Sequence, residues 1–270
     1  MGIDVDRLAD RLVRAQTAHE QIPPLTTTEP GFDVPAAYRV LAGISARRLA
    51  DGWVPIGRKM GFTNSTIWAR YRVSQPMWAP VWDRTVEFTA ASASMRVDRF
   101  TEPRIEPEVV FKLRAPVPPD ADAVHALECV EWLAAGFEVV QSPFPGWRFA
   151  AADCTAAFGL HAALIVGEPR VIDSRNRVAL AESLATFALA LSRDGVIVDR
   201  GVGANVLGSP ARALGYLAAL LASQPLAPPL AAGEVVTTGT ITDAWPAIRR
   251  QTWHADYGAL GLWAPVVTIE

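Results

Sequence analysis

Val5, Leu8, Leu12 and Ala15 recur at helical intervals with charged residues between them, which predicts an amphipathic surface helix from residue 4 to about residue 18. Ile22-Pro23-Pro24 ends it. A Thr- and Pro-rich loop then reaches Asp33-Val34-Pro35, a start signal for a second helix to about residue 50, with Tyr38, Leu41 and Leu49 on its apolar side and Asp51-Gly52 closing it. Beyond Gly52 the texture changes to short segments broken by Gly, Pro and Asp. β-Branched and aromatic residues gather at 86–88, 105–113, 137–140 and 160–166, predicting a mostly β core. Between them, residues 122–135 set Val124, Leu127, Val130 or Glu131, and Ala134 at helical spacing, and Gly136 suits a C-cap, so a helix is expected there with Glu128 and Glu131 on its solvated face. Residues 185–192 and 196–198, joined at Asp194-Gly195, predict a hairpin. Ser209-Pro210 predicts a capped helix to about residue 223, and two closing strands are expected near 234–238 and 262–269. The chain thus divides into a mainly helical segment, residues 1–52, packed on a mostly β core, residues 53–270, as one structural unit.

Alternation along a strand puts Ile105, Pro107, Val109 and Phe111 on one face and Glu106 and Glu108 on the other, and Glu138 stands alone among Phe137, Val139 and Val140. A buried ionised carboxylate is costly unless it is paired or coordinates a metal, and two carboxylates at i and i+2 repel. A divalent cation removes the conflict. An all-carboxylate set with no His or Cys cluster favours a hard ion, Mg²⁺ first, then Mn²⁺ or Ca²⁺. The spacing alone fits an ordinary solvated strand face equally well; Glu138 inside an apolar run favours the metal. Lys59, between Gly57 and Gly61, sits where the backbone can approach a ligand closely, and a lysine beside such a cluster can carry a proton or clamp an anion.

Composition narrows the function class. With 25 basic and 28 acidic residues, a net charge of -3 and no dominant basic run, a general nucleic-acid binder is disfavoured and small molecules are the expected partners. Half of the 270 residues are hydrophobic, enough for a sizeable core, yet the apolar runs fall short of a bilayer span and the amino terminus lacks a signal-peptide pattern. A soluble, cytoplasmic protein without membrane partners is expected, its two cysteines, Cys129 and Cys154, reduced. The segment Gly201-Val202-Gly203-Ala204-Asn205 is similar to a dinucleotide loop, but Val206 takes the place of the last glycine and no βαβ unit surrounds it, so it reads as a loop-to-helix connection. His19, His125, His161 and His254 form no ligand or triad pattern and read as surface or satisfied structural residues. Trp68, Trp78 and Trp82 follow Lys59 closely enough to line a pocket, though packing is the commoner role of tryptophan.

Seven segments in order resemble the hydratase and decarboxylase branch of the fumarylacetoacetate hydrolase superfamily. They are Ala37-Tyr38-Arg39-Val40, Gly57-Arg58-Lys59-Met60-Gly61-Phe62-Thr63, Glu106-Pro107-Glu108, Glu138-Val139-Val140, Ala152-Asp153, Gly203-Ala204-Asn205-Val206-Leu207-Gly208-Ser209-Pro210, and Ala232-Gly233-Glu234-Val235-Val236 leading to Gly239-Thr240-Ile241-Thr242. The resemblance implies an α+β fold with a mixed, rolled, barrel-like β-sheet core and a helical N-terminal segment, a Mg²⁺ or Mn²⁺ site with Ca²⁺ as a crystal substitute, and a homo-oligomer. It implies that Glu106, Glu108 and Glu138 are metal ligands, that Lys59 is catalytic, and that Thr240 and, more weakly, Thr63 bind the substrate. The implied activity is a lyase adding water to a 2-hydroxy-2,4-dienoate in aromatic catabolism. The alternatives are decarboxylation or carbon–carbon hydrolysis of a 2-oxo acid at the same site, or a non-catalytic 2-oxo acid binding protein. Two positions depart from the family pattern. Family hydratases carry an Asp in a Pro-Asp-aromatic-Gly motif where this chain has Pro76-Met77-Trp78-Ala79, with Asp83 nearby but unassigned, and Cys154 replaces an Asn after Asp153.

Overall fold

Asp4 accepts from the Arg7 amide at 3.1 Å and Asp33 from the Ala36 amide at 2.8 Å, so each satisfies a free helix-end donor. They open α1 (Val5–Ala18) and α3 (Val34–Ala50), with the single turn α2 (Leu25–Thr28) between them. The computed structural model describes residues 2–65 and 68–270. Next in chain order come β1 (Pro55–Gly61), α4 (Trp68–Tyr71), β2 (Met77–Trp82), β3 (Val86–Phe88), β4 (Ser92–Met95), β5 (Arg104–Leu113), α5 (Ala123–Glu128) and β6 (Val130–Val140). They are followed by α6 (Ala151–Ala156), β7 (His161–Val166), β8 (Arg170–Val171), α7 (Arg177–Thr186), β9 (Ala188–Arg193) and β10 (Val196–Val202). The chain closes with α8 (Pro210–Ala222), β11 (Val235–Thr237), β12 (Trp245–Pro246), β13 (Thr252–Asp256) and β14 (Val266–Ile269).

Among the described residues the larger sheet has nine strands, in the order β2-β1-β11-β5-β6-β7-β3, with β12 also on β5 and β8 also on β6. Most pairs are antiparallel, while β1 with β11 and β3 with β7 are parallel, giving the mixed, curled sheet expected from the sequence. A second sheet runs β10-β9-β13-β14-β4. The long β5–β6 ladder is the spine of the molecule. It pairs Glu106 with Glu138 and Glu108 with Gly136, while Ile105, Val109, Phe111, Leu133, Ala135 and Phe137 fill the main core beneath it. Leu8, Leu12, Val40 and Ile44 of the first helices form a separate apolar cluster with Phe144 and Phe158 against the outer end of that ladder. No helix among the described residues is long and apolar enough to cross a membrane.

Several expectations are corrected. The helix expected over 122–135 stops at Glu128, and residues from Val130 onward are strand: Leu133, Ala134, Ala135 and Phe137 are all buried, so the stretch is apolar on both faces, and pairing with β5 decides its state. Glu131 is therefore an exposed strand residue, whereas Glu128 remains on α5 and pairs with Arg177 at 3.1 Å. The hairpin's first strand starts at Ala188, because α7 occupies the residues through Thr186. Leu49 is 54% exposed, and α3 instead buries Ala36, Ala37, Val40, Leu41 and Ile44. Ser209 holds the N-cap position of α8 but makes no side-chain cap hydrogen bond. Strands β1, β2 and β13 have no counterpart in the sequence reading. β1, with Gly-Arg-Lys-Met-Gly, and β2, buried throughout, do not alternate in hydrophobicity, whereas β13 does, burying Trp253 and Ala255 between polar residues.

Candidate active site

Two residues per strand step put Glu106 and Glu108 on one face of β5, and the register of β6 sets Glu138 directly across from Glu106. One oxygen from each carboxylate lies within 4.8 Å of the others. Glu108 and Glu138 are wholly buried, and Glu106 keeps partial exposure toward a cavity of about 200 Å³. Lys59, 4% exposed on β1, points its Nζ to within 3.1 Å of Glu138 Oε2 and donates to the Gly159 carbonyl at 3.2 Å.

Electrostatics keep this cluster from holding three charged carboxylates without a further cation. Burial, reinforced by the neighbouring carboxylates, pushes Glu106 and Glu108 up to about 8 against the partial relief of Lys59, and burial raises Glu138 as well. Burial opposes the Lys59 charge, but Glu138, Glu106 and Glu108 outweigh it and hold the ammonium above its ordinary value. One ammonium cannot neutralise three carboxylates. Glu108 Oε2 accepts from Thr237 Oγ1 and from the Gly239 amide at 2.7 Å, yet its Oε1 has no hydrogen-bond partner, and Glu138 Oε2 has none beyond the Lys59 ion pair. Two buried carboxyl oxygens left over in one cluster, once ionised, are what a hard divalent ion takes, and the all-oxygen donor set fits Mg²⁺ or Mn²⁺.

The loop after β11 forms the opposite wall. Gly239 has φ +101°, and a Cβ there would lie 1.9 Å from Thr63 Oγ1, so only glycine lets this loop meet Thr63 while its amide reaches Glu108. Thr63 and Thr240 both line the cavity; Thr240 Oγ1 donates to the Thr242 carbonyl at 2.9 Å and must turn to donate to a ligand. Met77 is buried on β2 opposite Gly61, and the positions a Cβ would take at Gly61 and Gly159 lie 2.8 Å from its Sδ and 3.0 Å from its Cε. The same position at Gly159 lies 3.1 Å from Lys59 Cδ, so the Met77 thioether packs in the neighbourhood of the lysine stem. Asp83 is remote from this function, accepting from the Val54 amide at 2.9 Å. Asp153 is structural, buried and holding the Thr26 and Ala150 amides at 2.9 Å, while Cys154 lines the cavity as a free thiol that burial pushes up to about 12.

None of the three candidate tryptophans lines the cavity. Trp78 stacks on Tyr38, Trp82 meets Trp53 and Arg48, and Trp68 donates to the Phe62 carbonyl at 2.8 Å. Trp147 and Arg104 take that place, with the guanidinium 4.1 Å from the ring centroid. Arg104 precedes Glu106 by two residues on the same strand face, a signal present in the sequence; Trp147 arrives through a turn that the sequence does not announce. His19, His125 and His254 are exposed, but His161 is buried with Nδ1 2.7 Å from Glu138 Oε1 and Nε2 2.9 Å from Thr85 Oγ1.

No family model matches the chain. A 2-hydroxypent-2,4-dienoate hydratase of Pseudomonas putida is 30% identical over 79% of this chain and 94% of its own length. A 2-hydroxyhexa-2,4-dienoate hydratase of Comamonas testosteroni is 27% identical over 90% of this chain and 89% of its own. Among solved structures, 4-oxalocrotonate decarboxylase from Pseudomonas putida G7, complexed with magnesium and adipate, superposes with a TM-score of 0.89 at 25% identity, covering 98% of this chain and 97% of that one. With a carboxylate cluster able to hold a metal ion, a curled mixed sheet and these relatives, the chain belongs to the hydratase and decarboxylase branch of the fumarylacetoacetate hydrolase superfamily, a group of lyases.

Proposed function

We propose that this chain is a divalent-metal-dependent hydratase that adds water to a 2-hydroxy-2,4-dienoate in the breakdown of aromatic or related compounds, acting in the cytoplasm as a homo-oligomer. The observation that carries the reading is the meeting of Glu106, Glu108 and Glu138 oxygens within 4.8 Å, with Lys59 Nζ 3.1 Å from Glu138, beside a cavity of about 200 Å³. Those three glutamates are the residues that would hold Mg²⁺ or Mn²⁺. A hard ion bound there supplies Lewis-acid polarisation of the substrate's 2-oxo group and neutralises its carboxylate.

The side chains supply the rest. Thr240 and Thr63, both lining the cavity, would hold the substrate carboxylate. Lys59 would deliver a proton to C5 of the dienol and its amine would take back the one the 2-hydroxyl releases, after which water adds its hydroxyl to C4 and its proton to C3. Once the carboxylate charge is compensated, the upward pull on Lys59 weakens and burial makes the ammonium a stronger proton donor.

Met77 supports a second reading. A thioether near the lysine stem can neither activate water nor carry a proton, whereas loss of CO₂ from an oxalocrotonate-type substrate requires no water. Purified protein with Mg²⁺ and 2-hydroxypenta-2,4-dienoate distinguishes the two. Hydration is expected to bleach the dienoate absorbance faster than the spontaneous ketonisation of a control without enzyme. Absorbance decay equal to the control, with CO₂ released from the oxalocrotonate-type substrate, would replace hydration by decarboxylation.

A further inference from the structure

We infer that His161 is a positioning residue that aims the Glu138 carboxylate at the divalent-ion site, with Thr85 holding the far side of its ring. The inference rests on the reading of Glu106, Glu108 and Glu138 as metal ligands.

Strand geometry first explains how a histidine comes to touch Glu138. Along the β6–β7 pair, Glu138 stands opposite Leu164 and Val139 opposite Ala163, so an unbroken ladder would set Val140 against Ala162 and turn His161 to the far face. Instead the register shifts and Val140 pairs with His161. A one-residue bulge of this kind re-aims the side chain beside it. His161 then shares the face of Val140 and Glu138, and its Nδ1 reaches Glu138 Oε1 at 2.7 Å.

Hydrogen counting next fixes the ring. An ionised Glu138 can only accept, so Nδ1 carries the proton. On the other side of the ring Nε2 lies 2.9 Å from Thr85 Oγ1, which packs against it. Thr85 Oγ1 is itself held by the turn, receiving the Trp82 amide at 3.3 Å and donating to the Trp82 carbonyl at 2.9 Å, which keeps it beside the ring. With Oε1 of Glu138 taken by the imidazole, Oε2 is the oxygen left facing Lys59 and without a hydrogen bond. The carboxylate is offered to an ion through one oxygen in one orientation.

That constraint has a selective consequence. Mg²⁺ needs near-ideal octahedral geometry at short distance, while Ca²⁺ accepts variable coordination at longer distance. Release of Glu138 from His161 will therefore weaken Mg²⁺ far more than Ca²⁺, which a general loss of structure would not do.

The test is calorimetric titration of the full-length protein with each metal alone, alongside its thermal midpoint. In His161→Gln the amide reaches toward the Nε2 position and abandons Glu138; Mg²⁺ affinity is expected to fall about 10–100-fold and Ca²⁺ affinity no more than about threefold. In His161→Asn the amide nitrogen takes the Nδ1 position, and Mg²⁺ affinity is expected to return to within about threefold of wild type. Thr85→Val, which keeps the shape of the side chain, is expected to cost about threefold in Mg²⁺ affinity and serves should the histidine variants not fold. Wild-type Mg²⁺ affinity in His161→Gln and Thr85→Val, or equal losses of both metals in step with the thermal midpoint, would overturn the role of His161. Absence of Mg²⁺ binding by the wild type would instead overturn the ligand reading beneath it.

Discussion

The β5–β6 ladder joins two regions with one backbone and opposite chemistry. From Val109 to Leu113 against Val130 to Ala135 it is buried and mostly apolar, and at its other end Glu106, Glu108 and Glu138 crowd three carboxylates around one lysine. Both ends pair antiparallel, apart from one register shift between Lys112 and Leu113 at the apolar end, so the difference lies chiefly in the side chains. The apolar end gains stability from burial, and the acidic end loses some of it to desolvation and repulsion. Fold and function are separable along a single pair of strands.

The largest expected effect breaks the acidic end alone. Lys59→Ala and Glu138→Gln should each lower kcat/KM by about 10²–10⁴-fold with unchanged far-ultraviolet circular dichroism; activity within tenfold of wild type would remove the reaction from this end. Breaking the apolar end should do the reverse. Leu133→Ala, at a wholly buried residue opposite Phe111, should cost about 2–5 kcal/mol in denaturant unfolding while Mg²⁺ affinity stays within about twofold.

A metal and pH series sharpens the contrast. Glu106 and Glu108 are pushed from an ordinary value of 4.5 up to about 8, chiefly by burial, so between those values the metal-free folded chain holds protons that the unfolded chain has released. Their contribution to stability is full below pH 4.5 and is lost as pH rises through 8, since stability falls wherever the native state binds more protons. Thermal midpoints of the metal-free protein should therefore decline over that window. Mg²⁺ at a hundredfold excess over its Kd should restore about 2.7 kcal/mol, with the larger gain at the alkaline side; a flat profile with and without metal would contradict the ionisation pattern. The smallest effect belongs to the joint between the two regions, where Tyr257 Oη lies 2.6 Å from the Glu108 carbonyl and 3.3 Å from that of Gly136. Tyr257→Phe should cost about 1–2 kcal/mol and leave metal affinity nearly unchanged; a large loss of Mg²⁺ binding would mean that the two ends are mechanically coupled.

Legibility in the sequence followed locality. Helices α1 and α3 announce themselves through an Asp cap and a repeating apolar stripe, both contained within a few turns. The grouping of Glu106 and Glu108 follows from alternation in one strand, and Lys59 from its glycine-flanked motif. The first half of β6 was illegible because residues buried on both faces carry no period of two, and a chance helical spacing of Val124, Leu127 and Val130 took its place. His161 reads in the sequence as a surface or satisfied structural residue because its direction depends on a bulge formed with β6, a tertiary event without a local signature. Met77 likewise meets Gly61 and the neighbourhood of the Lys59 stem only through the β1–β2 register, and Trp147 reaches the cavity through a turn in which Gly146 has positive φ.

The central claim is that Glu106, Glu108 and Glu138 form one divalent-ion site that presents a 2-oxo acid to Lys59. Its most direct test is a crystal structure of the protein grown with Mn²⁺ and oxalate, with the ion located by anomalous scattering. The expected result is a single strong peak bonded to one oxygen from each of the three glutamates and chelated by oxalate, at about 2.0–2.3 Å, with Lys59 Nζ beside the oxalate. A peak elsewhere, or an ordered cluster in which the carboxylates remain protonated and paired with Lys59 alone at saturating Mn²⁺, would contradict it.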